Sequence, residues 1–178
     1  MQKFQLKEVR LSFNALFEPQ DFNGNQDFAF NAKLLIEKGS PQHKQIEQAL
    51  LEVAEEVFPG KGKQVIDKIK DDPAQYCLQP YDDQYVSLAT KRKAKAGRPV
   101  VVDQNRNPLA EGDGKPYSGC YVNVLVRPWA MGGKGNKYWV RCGLEGVQFA
   151  KDGQAFGQRT TADDFDDLGE SDDGKDIF

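Results

Sequence analysis

The stretch from Lys115 to Phe156 reads KPYSGCYVNVLVRPWAMGGKGNKYWVRCGLEGVQFAKDGQAF, and its pattern predicts two strands joined by a glycine-rich turn. In the first strand, Val122, Val124 and Val126 fall on one side, because successive side chains of an extended chain alternate between faces. This side is typical of a core. The second strand repeats the division, with an apolar side made of Tyr138, Val140, Cys142 and Leu144.

The other face of these two predicted strands is aromatic and cationic, and it carries Tyr121, Trp129, Trp139, Arg127 and Arg141. Aromatic rings set between guanidinium groups suit single-stranded nucleic acid, because bases stack on the rings while arginines meet phosphates. Ordinary packing is the alternative, since tryptophan and tyrosine are more often core or rim residues. The two strands alone leave both interpretations open.

The length of 178 residues predicts one domain with a sizeable core. Its charge is divided unevenly. From Thr160 to Phe178 there are eight acidic residues and one lysine, a net charge of -7, whereas residues 1–159 carry 23 basic and 19 acidic residues, a net charge of +4. We therefore expect a mildly basic domain over residues 1–159 and an acidic tail over residues 160–178.

Several classes of protein are disfavoured by the composition. The apolar runs are only a few residues long, and no basic segment followed by an apolar one opens the chain, so we expect no membrane span, no secretory signal and a cytoplasmic location. Cys77, Cys120 and Cys142 stand far apart and the chain has one histidine, so we expect free buried thiols, no metal and no cofactor.

The N-terminal half predicts two strands followed by two helices. Alternating apolar residues from Phe4 to Phe17, with Val9, Leu11 and Phe13 on one face, predict a long strand whose parity slips between Leu6 and Val9, as at a bulge. An Asn-Gly turn within residues 21–27 then leads into a second strand. A helix should follow, capped by Ser40 with Pro41 in its first turn and facing inward with Ile46, Ala49, Leu50, Val53, Ala54 and Val57. A shorter helix is expected over Lys63 to Lys70.

A basic block follows the next predicted strand, Tyr81 to Ala89. The segment from Thr90 to Arg98 holds Lys91, Arg92, Lys93, Lys95 and Arg98 with no acidic residue among them. Such a block attracts phosphate, although a solvated loop is the simpler interpretation. A short strand is expected over Pro99 to Asp103 and a loop over Gln104 to Gly114.

The last residues combine acid with two large apolar side chains. Few apolar residues lie between Thr160 and Lys175, so this segment should be disordered. The end of the chain is less typical of a solubilising tail and indicates a short docking peptide, formed by Asp172, Asp173, Asp176, Ile177 and Phe178.

In these features the chain resembles the tailed-phage single-stranded DNA-binding proteins, which have the OB-fold. The resemblance lies in YVSLATKRKAKAGRPVVV from Tyr85, in GKPYSGCYVNVLVRPW from Gly114, in CGLEGVQFAKDG from Cys142 and in the acidic tail ending at Phe178. It implies a mainly β protein with one or two helices, built as a five-stranded or slightly elaborated barrel with a disordered acidic C-terminal tail.

The resemblance also implies a function without catalysis. The protein would coat single-stranded DNA during phage replication and recombination, in the cytoplasm of the host cell. Its tail would compete with DNA for the groove and recruit replication or recombination proteins. A homo-oligomer is left open. We expect phosphate contacts from Lys91, Arg92, Lys93, Lys95, Arg98, Arg127, Lys134, Lys137 and Arg141, and base stacking on Tyr117, Tyr121, Trp129 and Trp139.

Other functions fit the sequence less well. Asp82 and Asp83 lack the further acidic residues that a nuclease needs to hold metal ions, and GGKGNK from Gly132 lacks the phosphate-loop spacing. A protein-interaction module with a DNA-mimicking tail would explain the tail but not the basic block. An RNA-binding OB-fold protein is a closer alternative.

Overall fold

The computed structural model describes residues 3–22, 24–156, 162 and 165–169. That part of the chain forms strands β1 Phe4–Asp21, β2 Phe28–Glu37, β3 Leu78–Pro80, β4 Tyr85–Lys93, β5 Val100–Val102, β6 Tyr121–Gly133 and β7 Lys137–Lys151. Its helices are α1 Pro41–Val57 and α2 Gly62–Ile69. Short 3-10 turns cover Ala94–Ala96 and Glu111–Asp113.

Five of the strands close into a barrel, in the order β1, β2, β4, β7, β6 and back to β1. Neighbouring barrel strands are antiparallel, except that β4 and β7 are parallel and meet at Lys91 and Gly143. The short strands lie outside this ring, β3 beside β4 and β5 beside β7. The predicted mainly β, five-stranded barrel is therefore confirmed, with two short strands added.

Strand β1 bends at two irregularities, of which the sequence indicated one. Its register with β6 shifts between Leu6 and Val9, which confirms the predicted bulge. Its register with β2 shifts again between Leu11 and Phe13. Leu11 is fully buried, whereas Phe13 is 46% exposed. The prediction that Phe13 shares a face with Val9 and Leu11 is wrong, because the second irregularity turns its side chain outward.

Helix α1 begins as its capping residues predict. Pro41 is its first residue, and the Ser40 hydroxyl accepts a hydrogen bond from the His43 backbone N–H at 3.2 Å. The prediction that Val57 faces inward is wrong, because this last residue of the helix is 43% exposed. The helix closes the barrel core with Ile46, Leu50, Val53 and Ala54.

Strand β4 differs from its prediction in both bounds. It starts at Tyr85 and runs on to Lys93, so the first half of the basic block lies in a barrel strand rather than in a loop. The buried Thr90 explains the extension, because its hydroxyl donates to the Ala32 carbonyl of β2 at 2.7 Å. Strand β3 was not predicted, whereas β5 confirms the predicted short strand after the block.

The interior follows the alternation of the C-terminal hairpin. Val122, Val124 and Val126 are fully buried, as predicted. The three cysteines are free and buried, which also confirms the prediction. Burial raises the pKa of the Cys77 thiol to about 12 and holds that of Cys142 well above its ordinary value, so both stay protonated near neutral pH. The core is therefore held by apolar packing.

The acidic tail is largely outside the described residues. Within residues 160–178 only residue 162 and residues 165–169 are described, and these are exposed. The domain boundary after residue 159 and the predicted docking residues also lie outside the described part. Among the residues that are described, no helix has the length and apolar content needed to cross a bilayer.

Candidate nucleic-acid interface

A row of paired residues crosses the outside of all five barrel strands. Ala15 of β1 pairs with Asn31 of β2, which pairs with Lys91 of β4. Lys91 meets Gly143 of β7, and Gly143 pairs with Arg127 of β6. Asn31, Gly143 and Arg127 each lie between two buried neighbours, so the row faces away from the core, although Ala15 at its end is itself buried. We call it the cross-strand row, and it places cations from β4 and β6 on one surface.

The β6–β7 hairpin continues this surface toward its tip. Trp129 pairs with Arg141 and Met131 pairs with Trp139, so these four side chains share the outer face with Arg127. Trp129 is 41% exposed and Met131 is 49% exposed. A Cβ on Gly133 would lie 2.9 Å from the Trp139 ring, so the glycine makes room for the indole. The predicted shared face of the two tryptophans and two arginines is therefore present.

Exposed phenylalanines form a part of the surface that sequence reasoning missed. Phe13 pairs with Lys33 of β2 on the outer face, and its ring meets that of Phe22 edge-on at 6.2 Å between centroids. Phe22 is 41% exposed and Phe28 is 48% exposed, one at each end of the loop that joins β1 and β2. One signal for this was present in the sequence. Leu11 and Leu16 are five residues apart, so on a regular strand they would face opposite sides, yet both lie in the core. Their spacing indicates the second irregularity.

The predicted phosphate contacts fall into two groups. Within the described residues, no ion pair or side-chain hydrogen bond engages Lys91, Lys93, Lys95, Arg98, Lys134 or Lys137. Arg92, Arg127 and Arg141 instead donate to protein acceptors. Arg127 Nε donates to Glu145 at 2.8 Å, and Arg141 Nη1 donates to the Pro73 carbonyl at 2.6 Å. The six unpaired cations are the ones free to meet a ligand.

Arg92 is held more firmly than the other two arginines. Its Nε donates to the Gly97 carbonyl at 2.8 Å, its Nη2 to the Ala96 carbonyl at 2.7 Å, and its Nη1 to Glu145 at 3.1 Å. These bonds fix the turn after β4, which carries Lys95. The structure thus gives Arg92 a positioning role, while its own phosphate contact stays a prediction.

Two of the predicted stacking residues lie apart from the tryptophans. Tyr121 is eight residues before Trp129 on β6, or about 26 Å along the strand. Lys151 Nζ lies 4.9 Å from the Tyr121 ring centroid and Arg10 Cζ lies 6.0 Å from it, so cations already cover this ring. The structure does not bring Tyr121 together with Trp129 and Trp139.

Tyr117 is partly buried and already has partners within the protein. Its hydroxyl donates to Asp152 at 2.7 Å and accepts from the Gly153 backbone N–H at 3.1 Å. The hydrogen bond to Asp152 raises the pKa of the Tyr117 phenol, which keeps it protonated. Its ring also packs 6.3 Å from that of Phe149 in the core. Stacking of a base on Tyr117 stays a prediction and would require this arrangement to open.

Metal-ligating residues do not gather at this surface. Across the described residues, no group of three histidine, cysteine or acidic side chains could hold a metal ion. The single histidine, His43, lies at the start of α1, where its Nδ1 accepts from the Gly39 backbone N–H at 3.0 Å. Its Nε2 lies 3.0 Å from Glu47. The contacts of His43 thus lie within the first turns of α1 and the turn that precedes it.

The closed barrel of this strand order is an OB-fold, the class that binds oligonucleotides on its second and third barrel strands and adjoining loops. A family model described as Enterobacter phage Enc34, ssDNA-binding protein, matches residues 2–177. The chain belongs to that family. A relative from Acyrthosiphon pisum secondary endosymbiont phage 1, called putative protein p50, is 35% identical over 174 residues, which cover 93% of this chain and 94% of the relative.

Solved structures show the same fold at low identity. The single-stranded DNA-binding protein from bacteriophage Enc34, in complex with ssDNA, matches with a TM-score of 0.68 and 20% identity over 87% of this chain and 89% of its own. The single-stranded DNA-binding protein gp2.5 encoded by bacteriophage T7 matches with a TM-score of 0.63 and 15% identity over 96% and 98% of the two chains. Both likenesses support the OB-fold.

Proposed function

We propose that this protein binds single-stranded DNA without catalysis and coats it during phage DNA replication and recombination, in the cytoplasm of the host cell. The observation that carries the proposal is the cross-strand row with its continuation along the β6–β7 hairpin. Membership of the Enc34 family supports it. The row and the hairpin together place cations beside exposed aromatic rings, which is the combination that holds a single strand without reading its sequence.

The position of this surface within the barrel also supports the proposal. The second and third barrel strands are β2 and β4, which carry Lys33, Lys91 and Lys93 on the outer face. The loop between the first two barrel strands ends in Phe22 and Phe28. The turn between the last two carries Lys134, and Lys137 begins β7 directly after it. These are the parts with which OB-folds bind oligonucleotides.

Each part of the surface has a role in this proposal. The phosphates would follow Lys91, Lys93, Lys95, Arg98, Lys134 and Lys137, while bases stack on Trp129 and Trp139. Phe13 and Phe22 would extend the stacking surface beyond the residues predicted from the sequence. Arg141 would hold the hairpin through Pro73 rather than the ligand.

The acidic tail would regulate this surface and recruit other proteins. The chain is anchored just before the tail, where Arg10 Nη2 donates to the Gln154 carbonyl at 2.7 Å and its guanidinium covers the Phe156 ring at 4.2 Å. Arg10 pairs with Leu35 of β2, four residues or about 13 Å from Asn31 in the cross-strand row. A segment of charge -7 tethered there has a high local concentration beside the cations.

Tryptophan fluorescence during titration with an oligothymidine tests the proposal directly. The chain has two tryptophans, and both lie on the outer face of the hairpin, so quenching would report contact at that surface. We expect quenching that prefers the single strand over a duplex control. It should weaken with salt by a log-log slope of about 0.7 per phosphate contacted. Equal affinity for the duplex, or no binding at low salt, would contradict the proposal.

A further inference from the structure

One carboxylate lies within the cationic surface. Glu145 is on β7, two residues beyond Gly143 of the cross-strand row. Its Oε1 accepts from Arg127 Nε at 2.8 Å and its Oε2 accepts from Arg92 Nη1 at 3.1 Å. Glu145 therefore bridges two arginines from different strands at the place where we propose that DNA phosphates bind.

Glu145 lies at a bulge in the pairing of β7 with β6. In the β6–β7 pairing, Leu125 is opposite Gly146 and Val126 is opposite Leu144, so Glu145 has no partner residue on β6. Glu145 is also two residues beyond Gly143, with the buried Leu144 between them, so strand alternation places its side chain on the same outer face. The backbone of β7 thus places Glu145 on the face that carries Arg127.

The two arginines of the bridge differ in their freedom. Arg92 has a side chain that is 23% exposed and is tied to two backbone carbonyls besides Glu145. The Arg127 side chain is 47% exposed, and within the described residues its one side-chain hydrogen bond goes to Glu145. Arg127 can therefore turn toward an incoming phosphate while Arg92 keeps Glu145 in place.

We propose that Glu145 is an internal competitor for DNA phosphate, which holds Arg127 in the free protein and lowers the affinity for the single strand. The inference rests on the proposed function. A carboxylate and a phosphate both accept bidentate hydrogen bonds from a guanidinium group, so they compete for the same donors. Once phosphate takes Arg127, Glu145 remains beside it on Arg92, and like charges at short distance favour dissociation.

The state of the carboxyl group agrees with this role. The hydrogen bond from Arg127 lowers the pKa of Glu145 despite its partial burial, and the charges of Arg127, Arg92 and Lys3 act in the same direction. Glu145 is therefore ionised at neutral pH, where its charge opposes a phosphate.

The test is the Glu145→Gln variant, which keeps the shape of the side chain and removes its charge. We expect oligothymidine to bind about threefold to tenfold more tightly at low salt, the factor that loss of one partly exposed ion-pair competitor would give. In the wild type the released carboxylate takes up a counterion of its own. The variant should therefore show a steeper log-log salt slope, by up to about 0.7.

Two further variants separate this effect from a general change in net charge and test whether Arg127 is the contested donor. Glu52→Gln makes the same change of net charge on the exposed face of α1, and it should leave affinity close to that of the wild type. In an Arg127→Gln background, Glu145→Gln should no longer tighten binding, because the contested donor is gone.

The outcomes bear differently on the two proposals. If Glu145→Gln binds no more tightly than Glu52→Gln while the wild type binds the single strand, the competitor role is overturned and the proposed function stands. If tightening persists without Arg127, the competition is not for that arginine and the inference also fails. If the wild type does not bind the single strand at all, the proposed function fails and the inference falls with it.

Discussion

At the scale of single residues, the exposed rings of the hairpin are the clearest consequence of strand geometry. Trp129 pairs with Arg141 and Trp139 pairs with Met131, and directly paired residues of antiparallel strands lie on the same face of the sheet. The two tryptophans therefore share the outer face. Trp129 is the more exposed of the two, while Trp139 lies partly against Gly133. Both can present a flat ring to a base, with Arg141 and Arg127 beside them.

Replacing Trp129 or Trp139 with alanine should weaken oligothymidine binding, because each would remove one stacking platform. We expect a loss of about 1 to 3 kcal/mol for each substitution. Anisotropy of a labelled oligonucleotide measures it without relying on the tryptophan signal. Tyr81→Ala is the matched control, since Tyr81 is 48% exposed but precedes β4, far along the strand from Lys93. An equal loss with Tyr81→Ala would argue against stacking at the hairpin.

The residues of the site could be predicted where the signal is local. The shared face of Trp129 and Trp139 follows from alternation on either side of one turn, so the sequence shows it directly. The positions of Phe13 and Arg92 could not be predicted in the same way. Phe13 turns outward at an irregularity in the pairing with β2, and Arg92 is bound by Glu145, 53 residues further along the chain. Such contacts depend on the closed barrel.

At the scale of elements, the barrel depends on the single parallel contact between β4 and β7. It occurs at Gly143, where a Cβ would lie 3.2 Å from the Arg127 carbonyl oxygen and 4.0 Å from that of Lys91. The glycine thus permits three strands to approach one another closely. A Cβ here would press against the Arg127 backbone, and the Lys91 backbone on the other side leaves little room for a larger side chain.

Gly143→Val should therefore destabilise the protein, by about 1 to 3 kcal/mol as is typical of overpacking. Urea denaturation followed by circular dichroism measures the loss. Gly112→Val is the matched control, because a Cβ on Gly112 meets nothing within 4 Å. If both variants lose the same stability, the loss in Gly143→Val does not come from the close approach of β4 and β7 at Gly143.

The elements could be predicted to different extents for physical reasons. Helix α1 has strong local signals in Ser40 and Pro41, and it starts where they place it. Strand β4 has a row of cations at its end, which by composition resembles a loop. Its extension to Lys93 comes from pairing with β2 across a distant part of the chain. Strand β3 is three residues long and carries too little pattern to be recognised.

At the scale of the whole molecule, charge is separated between the barrel and the end of the chain. The chain leaves the barrel near Arg10, and the 22 residues that follow Phe156 can span at most about 75 Å. That reach includes the cross-strand row. Under the proposed function, an acidic segment within reach of unpaired cations would compete with DNA, and the competition would weaken as salt screens both partners.

Deleting residues 160–178 should therefore tighten oligothymidine binding, most clearly at low salt. Titration of the truncated protein at two salt concentrations measures the effect. Replacing Ile177 and Phe178 with serine is the control, because it leaves the charge of the tail at -7 and should leave low-salt DNA affinity unchanged. Unchanged affinity of the truncated protein at low salt would argue against autoinhibition and leave recruitment as the role of the tail.

The pairing of β1 with β6 has a consequence for synthesis of the chain. Phe4 pairs with Val126, so β1 leaves the ribosome well before the strand with which it pairs. At ordinary rates of translation that delay is about 6 to 25 seconds. The hairpin of β1 and β2 can form early, but the other edge of β1 then stays unpaired. During this interval, on a polysome crowded with identical nascent chains, the exposed edge is where a wrong strand would add.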